Sequence, residues 1–261
     1  MGVREWAVRG LGAACLGNAA AVASASDAQA GPWTRERGEG LLIATFGAHQ
    51  MDAPGSVLTK HESAVYAEYG LLDGLTLVGR AGWQRLDEQA QDGERRAEGI
   101  GGAEAGLRLR LLARDRWVVS AQGLTTFRVE GETWNNVPFG EGGGDLEGRL
   151  MAGRSIGETG FASAQLAWRD RGDLPGGEIR FDTGAGARIA GPWQVHAKTY
   201  SVWSQGNIAE ELQSYRGHRA ELAVVRDLGE RNAASLAVLR TLGSRNLATE
   251  TAVLAGVWRR F

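Results

Sequence analysis

The chain has 261 residues and a formal net charge of −2, which excludes a nucleic-acid partner recruited by a global basic surface. Glycine is abundant at 39 residues, proline is scarce at 5, and past residue 30 the only lysines are Lys60 and Lys198. One cysteine, Cys15, excludes a disulfide framework and a thiolate metal site; no cofactor or metal is expected.

Residues 1–30 read as a secretory signal for the Sec pathway. Arg4 and Arg9 precede a small, apolar stretch from Leu11 to about Ala23, and Ala28-Gln29-Ala30 places small residues at −3 and −1 of a cut. The expected division is therefore 1–30 signal peptide and 31–261 a single barrel domain. No later stretch reaches the roughly 18 consecutive apolar residues of a membrane-crossing helix. Strands escape that test, because only alternate residues of a strand face lipid.

From residue 40 the dominant period is two. Across Glu178–Ile189, Glu178, Arg180, Asp182 and Arg188 alternate with Ile179, Phe181, Ala187 and Ile189. A helix would scatter those charges around its circumference, whereas a strand puts them on one face. Such segments are expected at 41–50, 58–70, 74–87, 98–112, 116–130, 144–155, 160–171, 177–189, 193–205, 214–226, 232–242 and 247–261. Most are long enough to cross a bilayer when tilted. Tight turns at 71–73, 113–115, 157–159, 191–192 and 228–231 alternate with longer polar loops at 51–57, 88–97, 131–143, 172–176 and 206–213. The expected fold is all-β: a closed antiparallel transmembrane barrel of about twelve strands with both termini on the short-turn side.

Parity then assigns faces. Glu68, Arg80, Glu104, Arg108, Arg110, Arg128, Glu130, Glu147, Arg149, Glu178, Arg180, Asp182, Arg188, Lys198, Arg219 and Glu221 are expected to line the lumen, as are Glu62, Asp145, Arg169 and Glu250. Cations and anions are balanced there and should pair, because an unpaired buried charge is strongly unfavourable. Tyr69, Trp83, Trp117, Trp168, Trp193 and Trp203 fall near strand ends on the apolar parity, where aromatic girdles mark the two membrane interfaces. Arginine at Ala105 or Leu166 should therefore hinder insertion, and arginine at Gly106 should be milder.

The last strand closes on Val257-Trp258-Arg259-Arg260-Phe261. It resembles the C-terminal signature of bacterial outer-membrane proteins, which implies that Phe261 is an assembly signal read by the barrel-assembly machinery. Tyr66 to Leu77, reading YAEYGLLDGLTL, resembles a hairpin common in a broad group of outer-membrane transporter-like barrels, including those named for a phenol-degradation pathway. The resemblance implies a porin-like channel of the Gram-negative outer membrane for small polar or amphipathic solutes, with membrane lipid and lipopolysaccharide as neighbours. The alternatives are a non-conducting structural or polysaccharide-export barrel and, more remotely, an enzyme. His61-Glu62-Ser63 has the His-x-Ser spacing that the outer-membrane phospholipase, another twelve-strand barrel, carries on an outward face. No aligned residue orients the histidine, so a non-enzymatic barrel is expected.

Overall fold

A computed structural model describes residues 31–53, 56–90, 93–127, 144–172, 176–205 and 214–261, with residues 133–134 and 137–138 of one connection. Residues 1–30 lie outside it, so the signal-peptide reading falls on undescribed residues, as do Arg128 and Glu130.

The chain forms a closed barrel of twelve antiparallel strands in sequential order. They are β1 (Gly40–Ala53), β2 (Ser56–Leu72), β3 (Leu75–Ala90), β4 (Gly93–Arg114), β5 (Trp117–Phe127), β6 (Leu146–Ile156), β7 (Gly160–Asp170), β8 (Glu178–Ala190), β9 (Trp193–Ser204), β10 (Arg216–Asp227), β11 (Asn232–Arg245) and β12 (Thr249–Arg260). Closure is made by β1 on β12, from Leu41 opposite Arg260 to Asp52 opposite Thr249. Reciprocal backbone hydrogen bonds between Gly40 and Phe261 extend that seam. Closing the sheet removes its edges and leaves every barrel strand with two partners.

The strand count and the tight turns agree with the sequence reading. At the turns, Gly74 (φ 92°) and Asp115 (φ 54°) adopt the left-handed conformation that glycine and aspartate tolerate. Two expected loops do not exist as loops. Residues 51–57 and 88–97 are mostly strand, and β2, β3 and β4 reach 17, 16 and 22 residues. On β3 and β4 the far ends carry charge on both faces, as at Asp87 and Glu88, which hides the two-residue period.

One phase also differs. A bulge opposite Gly82 and Trp83 shifts the register of β4 between Gly102 and Ile100. Below it Glu104 and Arg108 point inward, as parity required. Above it Ala97 is buried while Glu98 and Ile100 are exposed. Gly101 sits at the shift, where a Cβ would collide with the Gln84 side chain. An extra residue of this kind inverts every side chain beyond it.

The outside is apolar. Leu77, Leu107, Leu150, Leu166, Leu222, Leu236 and Val253 are all exposed on it. The inside holds the buried polar groups, together with one apolar stretch described below.

Candidate functional site

The interior is built from the inward positions of every strand, and it has two unlike walls. On β2 to β8 the inward residues are mainly charged, and they pair. Near the short-turn end, Arg108 contacts Glu68 at 2.7 Å and donates to Gln122 at 2.9 Å. Higher up, Glu62 takes Lys60 at 2.8 Å and Arg80 at 2.6 Å. Glu147 receives Arg149 at 2.9 Å and Arg169 at 3.0 Å, while Arg169 also reaches Glu104 at 2.7 Å and Arg149 reaches Asp182 at 2.8 Å. At the opposite end Glu178 holds Arg180 at 2.6 Å, Arg171 at 2.5 Å and the Tyr215 hydroxyl. Several of these contacts skip a strand: Arg108 on β4 reaches β2, and Arg149 on β6 reaches β8. Arginine spans such gaps because its side chain is long, and its planar fork can then engage two carboxylates at once, as Arg149 does with Glu147 and Asp182.

The other wall, on β9 to β12 and β1, is largely apolar. Leu41, Ile43, Val225, Ala233 and Trp258 form one buried cluster with Tyr66 and Val78. Tyr200, Ala223, Ala237, Leu239, Ala252 and Leu254 form another. Ionic contacts here are fewer: Lys198 to Glu221 at 2.8 Å, Arg219 to Glu250 at 2.6 Å, and His49 Nδ1 to Glu250 at 2.6 Å. Within this second wall lies a small cleft, bordered by Ile43, Leu254 and Trp258 and by the polar groups of His196, Lys198 and Glu221.

The segment before β1 enters this interior. Residues 31–39 form an arm across the short-turn mouth. Ser120 donates to Pro32 O at 2.5 Å and Arg108 to Trp33 O at 3.1 Å; Arg35 pairs with Glu68 at 2.6 Å and donates its backbone N–H to Thr76 at 2.8 Å. The Trp33 ring meets Phe161 of β7 edge-on at 5.8 Å. A Cβ at Gly153 would press into Pro32 and Trp33, so the bare glycine makes room for the arm.

Most of the expected lumen residues are gathered here. Glu68, Arg80, Glu104, Arg108, Glu147, Arg149, Glu178, Arg180, Asp182, Lys198, Arg219 and Glu221 all point inward, with Glu62, Asp145, Arg169 and Glu250. Arg110 and Arg188 keep the inward parity but end exposed at the short-turn rim, where Arg188 pairs with Asp227 at 2.7 Å. Parity reasoning missed buried Lys60, His49 and Arg171, although Lys60 shares its phase with Glu62 and Arg171 with Arg169. The arm carried no periodic signal at all.

On the outer face, Tyr69, Trp83, Trp117, Trp168, Trp193 and Trp203 are all exposed. Two of them carry an arginine from the next strand: Arg154 over Trp117 at 5.3 Å and Arg226 over Trp193 at 5.2 Å. His61 and Ser63 also face outward, and no hydrogen bond joins them among the described residues. The histidine–serine contact that does form is His218 Nδ1 with Ser201 Oγ at 3.0 Å, between β10 and β9.

A closed, even-stranded antiparallel barrel with an apolar outside, aromatic residues toward both rims and a charged inside has the architecture of the outer-membrane β-barrels. Solved structures agree. The fold is similar to an outer-membrane channel from Pseudomonas putida F1, at 14% identity and a TM-score of 0.66, covering 87% of this chain and 97% of that one. It is also similar to the translocator domain of the autotransporter NalP from Neisseria meningitidis (11% identity, TM-score 0.55, covering 87% and 90%) and to the NanC porin (9% identity, TM-score 0.54, covering 82% and 98%). No family model and no curated protein matches the sequence. These likenesses establish the fold.

Proposed function

We propose that the chain is an outer-membrane channel for small amphipathic solutes, exported with a signal peptide cut after Ala30. The observation that carries this reading is the division of the lumen. A fully ionic interior would suit water and salts, and a wholly apolar one would be a core. Here a paired ionic wall on β2 to β8 faces a largely apolar one on β9 to β12 and β1, which suits a solute with a polar end and an apolar body. The outer surface supports the membrane location, since a continuous exposed apolar band is unstable in water. The exposed aromatics would anchor the barrel at both interfaces, Phe261 would serve the assembly machinery, and residues 31–39 would restrict the short-turn, periplasmic mouth.

Single-channel recording on refolded residues 31–261 in planar bilayers, with swelling assays for neutral and amphipathic solutes, tests it. Small, discrete conductance and passage of amphipathic solutes are expected. The dense ion pairing and the arm favour a second reading, a non-conducting structural barrel. Silence in both assays would select that reading.

A further inference from the structure

The outward-facing cations at the end of the barrel opposite the short turns fall into two groups with different surroundings. On the β3–β4 extension they are paired: Asp87 takes Arg85 at 2.9 Å and Arg96 at 2.5 Å. On β10 and β11 they are not. Arg216 and Arg245 lie directly opposite each other in the ladder, both exposed, and no carboxylate contacts either among the described residues. Arg240, also exposed and outward, lies further down β11 opposite Ala220. Like charges directly across a ladder are destabilising, so this arrangement calls for an anion supplied from outside.

Its height in the barrel says which anion. Arg216 is directly opposite Trp203 on its other side, and the Trp203 ring meets His218 edge-on at 5.3 Å. Trp203 is one of the outward aromatics that mark an interface. Below Arg240 the same face is apolar, with Leu222, Leu236, Val238 and Val253 exposed. A ligand that fits has phosphate at the level of the aromatic ring and acyl chains beneath it. The arginine fork matches phosphate geometry.

We propose that the outer face of β10–β12 is a docking site for a phosphorylated glycolipid of the outer leaflet, its phosphate held by Arg216 and Arg245, with Arg240 reaching up from below and the acyl chains along Leu222 and Val238. The proposal rests on the outer-membrane reading, but it is tested separately from conductance.

The test uses the full mature barrel in detergent, with native mass spectrometry and the temperature of loss of the folded gel band as readouts. The probes are bisphosphorylated lipid A and the same lipid with both phosphates removed. The phosphorylated lipid is expected to bind and to raise the unfolding temperature, and the dephosphorylated one to do neither. The double variant R216Q/R245Q should keep its folded band and bind roughly tenfold or more weakly, equivalent to about 1.4 kcal/mol. R216K/R245K, which keeps the charge and loses the fork, should fall between them. R85Q/R96Q, at the cations already paired with Asp87, should bind like the parent. Equal binding of both lipids, or unchanged binding by R216Q/R245Q, overturns the site. A barrel that binds neither lipid yet conducts overturns the site and leaves the channel reading standing.

Discussion

Arg108 and Glu68 meet at 2.7 Å across the inner face of β3, and neither side chain reaches solvent. Arg35 of the arm shares the same carboxylate at 2.6 Å, so one acidic residue ties together β2, β4 and the segment that closes the mouth. Glu68 keeps Arg35 if Arg108 is removed, but removing Glu68 leaves Arg108 buried with no other carboxylate among the described residues, at about 3–5 kcal/mol. We predict that Glu68→Gln lowers the temperature at which the folded band disappears from gels, and that combining it with Arg108→Gln recovers part of the loss. A double variant as unstable as the single would show that the pair is not the cause.

Arg149 and Arg180 should differ. Arg149 is the cation hydrogen-bonded to Asp182, and Asp182 is buried. Arg180 shares Glu178 with Arg171, and it shares Glu147 with Arg149 and Arg169. Its loss therefore leaves no carboxylate alone. Arg180→Ala is expected to keep the folded band and to shift ion selectivity toward cations in reversal-potential measurements. Arg149→Ala is expected to destabilise the barrel measurably more. Equal stability of the two variants would contradict the pairing scheme.

Depth on the outer face gives a third test. Leu166 lies within β7 and Leu146 at the start of β6, both exposed. Arginine at Leu166 should cost about 2–4 kcal/mol, and arginine at Leu146, near the rim, about 0–1 kcal/mol. Folded yield in lipid vesicles against urea measures both, and equal penalties would sink the membrane placement. The tolerance that parity alone suggested at Gly106 does not survive the structure: a Cβ there runs into the Gly123 carbonyl. A side chain of any charge at Gly106 is expected to reduce folding.

At the seam, the Phe261 ring lies over the bare Cα of Gly40, where a Cβ would collide with it. Gly40→Val should displace the ring and slow barrel closure, seen as delayed appearance of the folded band after dilution from urea. Phe261→Ala in the Gly40→Val background should relieve part of the delay. No delay in Gly40→Val would show that this contact does not matter for closure.

Much of this architecture was legible because a membrane barrel imposes one rule on almost every residue. Inward Glu178, Arg180 and Asp182 alternate with outward Ile179 and Phe181, and nothing local competes with that period. The reading failed where the period breaks. Gly101 inverts the phase of β4, and no local residue pattern distinguishes a bulge glycine from the chain's many others. Charged hairpin ends around Asp87 and Arg96 look like loop, because both faces there are wet. Pairing was predictable as a balance of charges but not as particular contacts. Arg149 reaches Asp182 over an intervening strand, which depends on barrel curvature and side-chain length. The arm was invisible for a different reason: Pro32, Trp33 and Arg35 are fixed by Ser120, Phe161 and Glu68, which are distant in sequence.

The central claim is that the two-walled lumen is a passage restricted by residues 31–37. Single-channel conductance of the barrel comprising residues 31–261 should be compared with that of a barrel beginning at residue 38, with Gly153→Leu as a variant that crowds the arm without shortening the chain. We predict small openings in the parent, and a severalfold larger conductance in both the truncated barrel and Gly153→Leu. Three folded but electrically silent proteins, or three with identical conductance, would contradict it.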